Sequence, residues 1–257
     1  MNMKKLSYSL LSIAVLSLMI TNAHAGDCEH SRNLERSLEL NSLDQLSVEA
    51  GAGILVIQGE LGQKNIRIKA KLCSSDKGIL DEMDVVARLT DDKAQLVTRF
   101  PKSNWLNNKS AHIDLSLVVP SSMSLEVKDS SGEANVSNVA ALDMQDSSGR
   151  LEIEKIAGDL KVTDSSGELV IRGVGGDVEL TDSSGGIYVK NIQGSLLIVA
   201  DSSGEIEVKD VAKDVTIERD SSGSIEVKNV GGDFTVGRDS SGGIKHKNVA
   251  GKVKLPG

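Results

Sequence analysis

Seven copies of one acidic, hydroxyl-rich tetrapeptide, Asp-Ser-Ser-Gly, begin at Asp129, Asp146, Asp164, Asp182, Asp201, Asp220 and Asp239. Carboxylates and hydroxyls at a near-constant interval could ligate cations, recognise a glycan or protein, or only cap turns. As cation ligands the ladder would be Asp146, Asp164, Asp182, Asp201, Asp220 and Asp239. Calcium wants six to eight oxygens around each ion, and the calcium-binding repeat G-G-x-G-x-D is not the unit found here. The turn reading needs no ligand. Asp and Ser side chains accept from nearby backbone N–H groups, and glycine permits positive φ. On that reading Gly149, Gly167, Gly185, Gly204, Gly223 and Gly242 are structural corner residues. Neither a metal nor a cofactor is expected.

Catalytic groups are scarce. Beyond residue 25 the histidines are His30, His112 and His246, and none stands in triad or metal-site spacing. No catalytic residue is assigned. Solenoid polysaccharide lyases and hydrolases do use Asp clusters, but with insertions that break the repeat to build a cleft. This stack has none, so a carbohydrate-active β-helix enzyme is the alternative reading, with a calcium-stabilised roll as a second.

The elements that position the tetrapeptides follow from their spacing. Successive starts lie 17, 18, 18, 19, 19 and 19 residues apart, the signature of a solenoid. The unit reads D-S-S-G-x-I-x-V-x-N-V-x-G-D-V-x-V-x-x and holds two alternating segments, such as Ile225 and Val227, then Phe234 and Val236. Period-2 alternation of β-branched residues predicts strands with one buried face. Down the stack, one column holds Leu151, Leu169, Ile187, Ile206, Ile225 and Ile244, and the next holds Ile153, Ile171, Val189, Val208, Val227 and His246. About five inward residues per coil give an enclosed apolar core. Parallel strands about 4.8 Å apart would make a rod of roughly 34 Å, with right-handed crossovers expected.

The outward rows are polar. Lys190, Lys209, Lys228 and Lys247 stack at one position beside Glu207 and Glu226, which predicts ion pairs on a solvated face worth about 0–1 kcal/mol each. Asn138, Asn191, Asn229 and Asn248 fall at the second corner, suited to left-handed geometry or an Asn ladder. The last coil carries Lys245, Lys247, Lys252 and Lys254 without an acid, and His246 replaces a core Val. It reads as a basic cap that limits edge-to-edge association.

Residues 26–120 lack the strict repeat yet alternate strongly. "GAGILVIQG" looks like a degenerate coil with Gly53 in the corner glycine's place. This region is expected to form irregular coils or a packed cap over the N-terminal end. Trp105 lies in a polar loop, where it is either a packed anchor or an exposed contact. Residues 1–25 have a secretory signal's anatomy: Lys4 and Lys5, an apolar run, and Ala23 and Ala25 before the cleavage point. The apolar run is too short for a good membrane span. Its removal takes away two lysines and no acid, moving the formal charge from −8 to −10, which disfavours nucleic acid. Cys28 and Cys73 then predict one disulfide in an oxidising compartment, worth roughly 4 kcal/mol on the chain-entropy model. Lipidation of Cys28 is the rival, but Asp27 stands where a small residue belongs.

"VVPSSMSLEVKDSSGEANV", followed by recurrent "DSSGxIxVKNVxGDVxV", resembles the bacterial putative-adhesin families of β-strand repeats and the related toastrack-like cell-envelope domains of unknown function. The resemblance spans Leu46 to Leu255 and implies architecture, with no catalytic residues to carry over. The expected fold is all-β: a single-stranded parallel β-helix or β-solenoid of 17–19-residue coils. Its expected division is a signal peptide at 1–25, a less regular β-rich region at 26–120 and the regular stack at 121–257. The expected function is a non-enzymatic, exported, adhesin-like or structural module of the cell envelope. The expected compartment is the periplasm, with cell surface or secretion as alternatives. The expected partner is an envelope protein or glycan, without nucleic acid or an integral membrane segment after cleavage. The chain is expected to be a monomer or to associate weakly end to end.

Overall fold

A computed structural model describes residues 28–101 and 109–257. The signal sequence and Trp105 lie outside the described residues. The N-terminal part contributes β1 (His30–Glu39), β2 (Gln45–Glu49), β3 (Leu55–Glu60), β4 (Asn65–Ser74), a short helix α1 (Lys77–Glu82), β5 (Asp84–Leu89), β6 (Ala94–Arg99) and β7 (Ala111–Pro120). The repeats begin with β8 (Ser124–Lys128), β9 (Ala134–Ser137), β10 (Ala141–Asp146), β11 (Leu151–Ile156), β12 (Leu160–Asp164), β13 (Leu169–Val174), β14 (Val178–Thr181) and β15 (Ile187–Ile192). They end with β16 (Leu196–Ala200), β17 (Ile206–Val211), β18 (Val215–Asp220), β19 (Ile225–Val230), β20 (Phe234–Asp239), β21 (Ile244–Val249) and β22 (Val253–Lys254).

These strands form two 11-stranded sheets, and each coil gives one strand to each. In the first sheet the order is β1-β4-β7-β3-β9 and then every odd strand to β21. In the second, the even strands run from β22 to β8, followed by β2, β6 and β5. From β8 onward every neighbour is parallel, and in the first sheet the repeats stay in register, so Leu151, Leu169, Ile187, Ile206, Ile225 and Ile244 stack as one column. The chain is thus a β-solenoid. Its interior is almost wholly Leu, Ile and Val, each contributing about 1.5–3 kcal/mol on full burial.

The N-terminal region supplies both coils and a cap. β2 and β3 form a coil that stacks directly on β8 and β9, with Gly53 at φ 135° in the corner glycine column. β6 and β7 form another, but it stacks on the far side of β2 and β3. Stack order therefore departs from chain order. β3 leaves the stack at Glu60, turns through Leu61 and Gly62, and returns as β4, antiparallel to β7.

Beyond that coil the sheets end in antiparallel strands, β1 on one and β5 on the other. Arg36 bridges the two edges, pairing with Asp84 at 3.0 Å, while Arg32 donates to the Met83 carbonyl. Helix α1, capped by the Asp76 carboxylate on the Ile79 N–H, buries Ile79 and Leu80 against the cap. A disulfide joins Cys28 to Cys73 with the Cα atoms 5.4 Å apart, fixing the start of β1 to the end of β4.

Candidate functional site

The first corner of each coil is built around its aspartate. The sequence pattern suggests five inward columns, but the structure has six: Asp129, Asp146, Asp164, Asp182, Asp201 and Asp220 retain only 1–4% of their surface. In the earlier coils the cause is strand parity. In β12, Leu160 and Val162 face inward, so Asp164, two residues on, faces inward too. The 19-residue coils carry one residue more between the last aliphatic and the Asp. There the register shifts between Leu180 and Thr181 against Ile198 and Ala200, a bulge that keeps Asp201 inside. The carboxylates are in register from coil to coil, through the pairs Asp146–Asp164, Asp201–Asp220 and Asp220–Asp239.

One oxygen of most of these carboxylates serves its own turn. Asp146 Oδ1 accepts from the Ser147 N–H at 2.8 Å, Asp182 Oδ1 from Ser183 at 2.7 Å and Ser184 at 3.3 Å, and Asp201 Oδ1 from Ser203 at 3.2 Å. The other oxygen has no protein partner in Asp146, Asp164, Asp182 and Asp201, and neither oxygen has one in Asp129 and Asp220. Desolvation, with the neighbouring Asp146 charge second, pushes Asp129 up to about 7. The same two causes, with Asp164 or Asp182 and Asp220 as neighbours, raise Asp146 and Asp201 to about 6. Desolvation also raises Asp164, Asp182 and Asp220.

The rest of the tetrapeptide locks coil to coil. The second serine's hydroxyl donates to the first serine's carbonyl in the preceding coil: Ser166 to Ser147, Ser184 to Ser165 and Ser222 to Ser202, all at 3.2 Å. The glycines lie at φ between 126° and 145° from Gly149 to Gly242. A Cβ on Gly204 would fall 1.5 Å from the Gly185 carbonyl oxygen, so backbone of adjacent coils touches where a side chain would stand.

The second corner carries another aspartate column, this one exposed. Asp177 Oδ1 accepts from the Ser195 N–H of the next coil at 2.7 Å, and Asp214 Oδ1 does the same for Asp233. Asn138, Asn191, Asn229 and Asn248 all adopt positive φ, between 56° and 62°. Asn248 donates to Asn229 at 2.9 Å and Asn229 to Asp210 at 2.7 Å. On the first sheet's outer face, Glu207 pairs with Lys209 and Glu226 with Lys228 within their coils.

The second sheet's outer face holds a groove of about 670 Å³ crossing the coils from Lys93 to Leu197. Small residues such as Ser124 and Ala141 line it, with five carboxylates, Glu126, Asp143, Asp159, Asp177 and Glu179, against Lys93 and Lys161. Lys93 pairs with Glu126 at 3.0 Å and Lys161 with Glu179 at 2.8 Å, which leaves the lining acidic. The sequence columns do not single out this groove, which runs along the second-corner positions Ser124, Ala141, Asp159, Asp177 and Ser195 of adjacent coils. His246 is exposed on the final coil, its ring 6.1 Å from that of Phe234. Among the described residues, no group of three or more His, Cys, Asp or Glu is arranged to hold a metal ion, and no helix is long and apolar enough to cross a membrane.

Fold and corners together define a parallel β-solenoid whose repeated tetrapeptide is an inter-coil lock. The chain belongs to the Toastrack DUF4097 family, whose model matches residues 41–254. No curated protein matches it. Among solved structures, a "putative lipid binding protein" from Parabacteroides distasonis is similar at 15% identity, over 88% of this chain and 97% of that one, with a TM-score of 0.44. A "putative adhesin" from Bacteroides fragilis is similar at 17% identity over the same shares, with a TM-score of 0.40.

Proposed function

We propose that this protein is a non-enzymatic, exported interaction module of the cell envelope, adhesin-like in use, whose contact surface is the groove on the second sheet. The observation that carries this reading is the groove itself: an open, acid-rich concavity spanning several coils of the stack. Its charge favours a basic polypeptide segment of an envelope protein over an anionic glycan. The Cys28–Cys73 disulfide and the signal-like N-terminus support export to an oxidising compartment, the periplasm first.

The test compares capture of envelope-extract proteins by immobilised wild type and by Asp143→Lys/Glu179→Lys, both checked for intact β structure. The proposal expects a partner retained by wild type and lost by the variant at equal folding. Equal capture by both would place the contact elsewhere. A hydrolytic activity of purified protein abolished by one substitution would contradict the non-enzymatic reading.

A further inference from the structure

The column of buried aspartates has no role in the groove, and its chemistry is unresolved by packing alone. Burying an isolated carboxylate is costly, and here a row of them lines one interior edge at the strand spacing of about 4.8 Å. Their inward neighbours are apolar throughout: Val127, Met144, Val162, Leu180, Ile198 and Ile217 before the corner, and Ala134, Leu151, Leu169, Ile187, Ile206 and Ile225 after it. The charged residues around the corner do not enter this interior. Lys128, Glu133, Glu205, Glu218, Arg219 and Arg238 are exposed, while Arg150 and Glu168 pair with each other outside. At the N-terminal end of the column stands Ala50, whose N–H bonds the Lys128 carbonyl in β8. Among the described residues, the charged groups facing each aspartate are therefore the aspartates above and below it.

We infer that the Asp129–Asp239 column is a shared-proton ladder, in which a protonated carboxyl donates its O–H to the unpartnered oxygen of the next coil's carboxylate. Several independent features meet in this arrangement. The residues are in register, those from Asp129 to Asp220 are buried and Asp239 is half-buried, and each from Asp129 to Asp220 has an oxygen that no N–H or O–H of the protein reaches. One proton for every two carboxyls gives one such oxygen on each carboxyl a partner and halves the like charge. A metal would need further oxygen ligands that the apolar walls do not supply.

The ladder makes the fold sensitive to alkali. The folded carboxyls hold protons to higher pH than the unfolded ones, consistent with Asp146 and Asp201 raised to about 6 and Asp129 to about 7. Their contribution is fully present below the ordinary carboxyl range near ~4 and is lost as pH rises through ~6–7. This contribution thus grows toward acid, the reverse of that of an ionised carboxylate held in an ion pair.

Two measurements test this. In the infrared spectrum of folded wild type at pH 6, a protonated-carboxyl C=O band should persist with the intensity of roughly half the ladder, because desolvation and like charge hold those protons. Its absence with the fold intact would overturn the proposal. The apparent Tm of wild type should fall by at least ~5 °C between pH 5 and pH 8. In Asp164→Asn/Asp182→Asn/Asp201→Asn, which keeps the turn acceptors and supplies N–H donors to the ladder, that slope should flatten. A wild-type Tm that is level or rising, or an undiminished slope in the variant, would sink the ladder. If the variant does not fold, the wild-type infrared band decides.

Discussion

Each coil turns twice, and each turn carries a stack of aspartates, yet the two stacks do opposite things. Asp182, at the first corner, points inward and spends one oxygen on its own turn, accepting from Ser183 and Ser184. Asp177, at the second corner, points outward and reaches into the next coil, accepting from the Ser195 N–H. One holds the shape of a coil, the other ties coils together. Their difference shows that residue type does not decide a carboxylate's task in a solenoid. Strand parity does, because it sets whether the side chain meets water or the core.

The largest effect should come from adding an interior carboxylate where no turn N–H can serve it. Val208 is fully buried in the middle of β17. Val208→Asp should cost roughly 3–5 kcal/mol, since the charge would lie unpaired in the core. Denaturant melts at neutral pH would show it. A loss under 1 kcal/mol would mean that the interior is wetter than its aliphatic lining implies. A smaller effect is expected at the outer corner. Asp214→Ala removes the acceptor of the Asp233 N–H, which lies at an exposed position where water replaces it, so the cost should be about 1 kcal/mol in the same assay. Equal costs for the two variants would erase the distinction between inner and outer positions.

Much of this fold was legible in the sequence because a solenoid writes its contacts at a fixed interval. The alternation of Ile206 with Val208 and of Phe234 with Val236 marked the two strands of a coil, and the tetrapeptide spacing aligned them. The inward aspartates were partly legible. Leu160, Val162 and Asp164 share one parity, and the period-2 rule carries past the last aliphatic residue. Counting about five inward aliphatic residues per coil left the Asp out, and in coils such as the one ending at Asp201 an added residue breaks the parity until a bulge restores it. The exchanged stack order of β6–β7 and β2–β3 was not legible. It depends on β3 leaving the stack for β4, a long-range pairing with no local signature. The acidic groove belongs to the same class, since it is made by residues that only the stack brings side by side.

Carbodiimide labelling of carboxyls in the folded protein, read by peptide mass spectrometry, separates an inner aspartate column from an outer one. Asp159, Asp177, Asp214 and Asp233, which are exposed, should be modified in the folded protein, and Asp164, Asp182, Asp201 and Asp220 only after denaturation. Comparable labelling of both columns in the folded protein would contradict that separation.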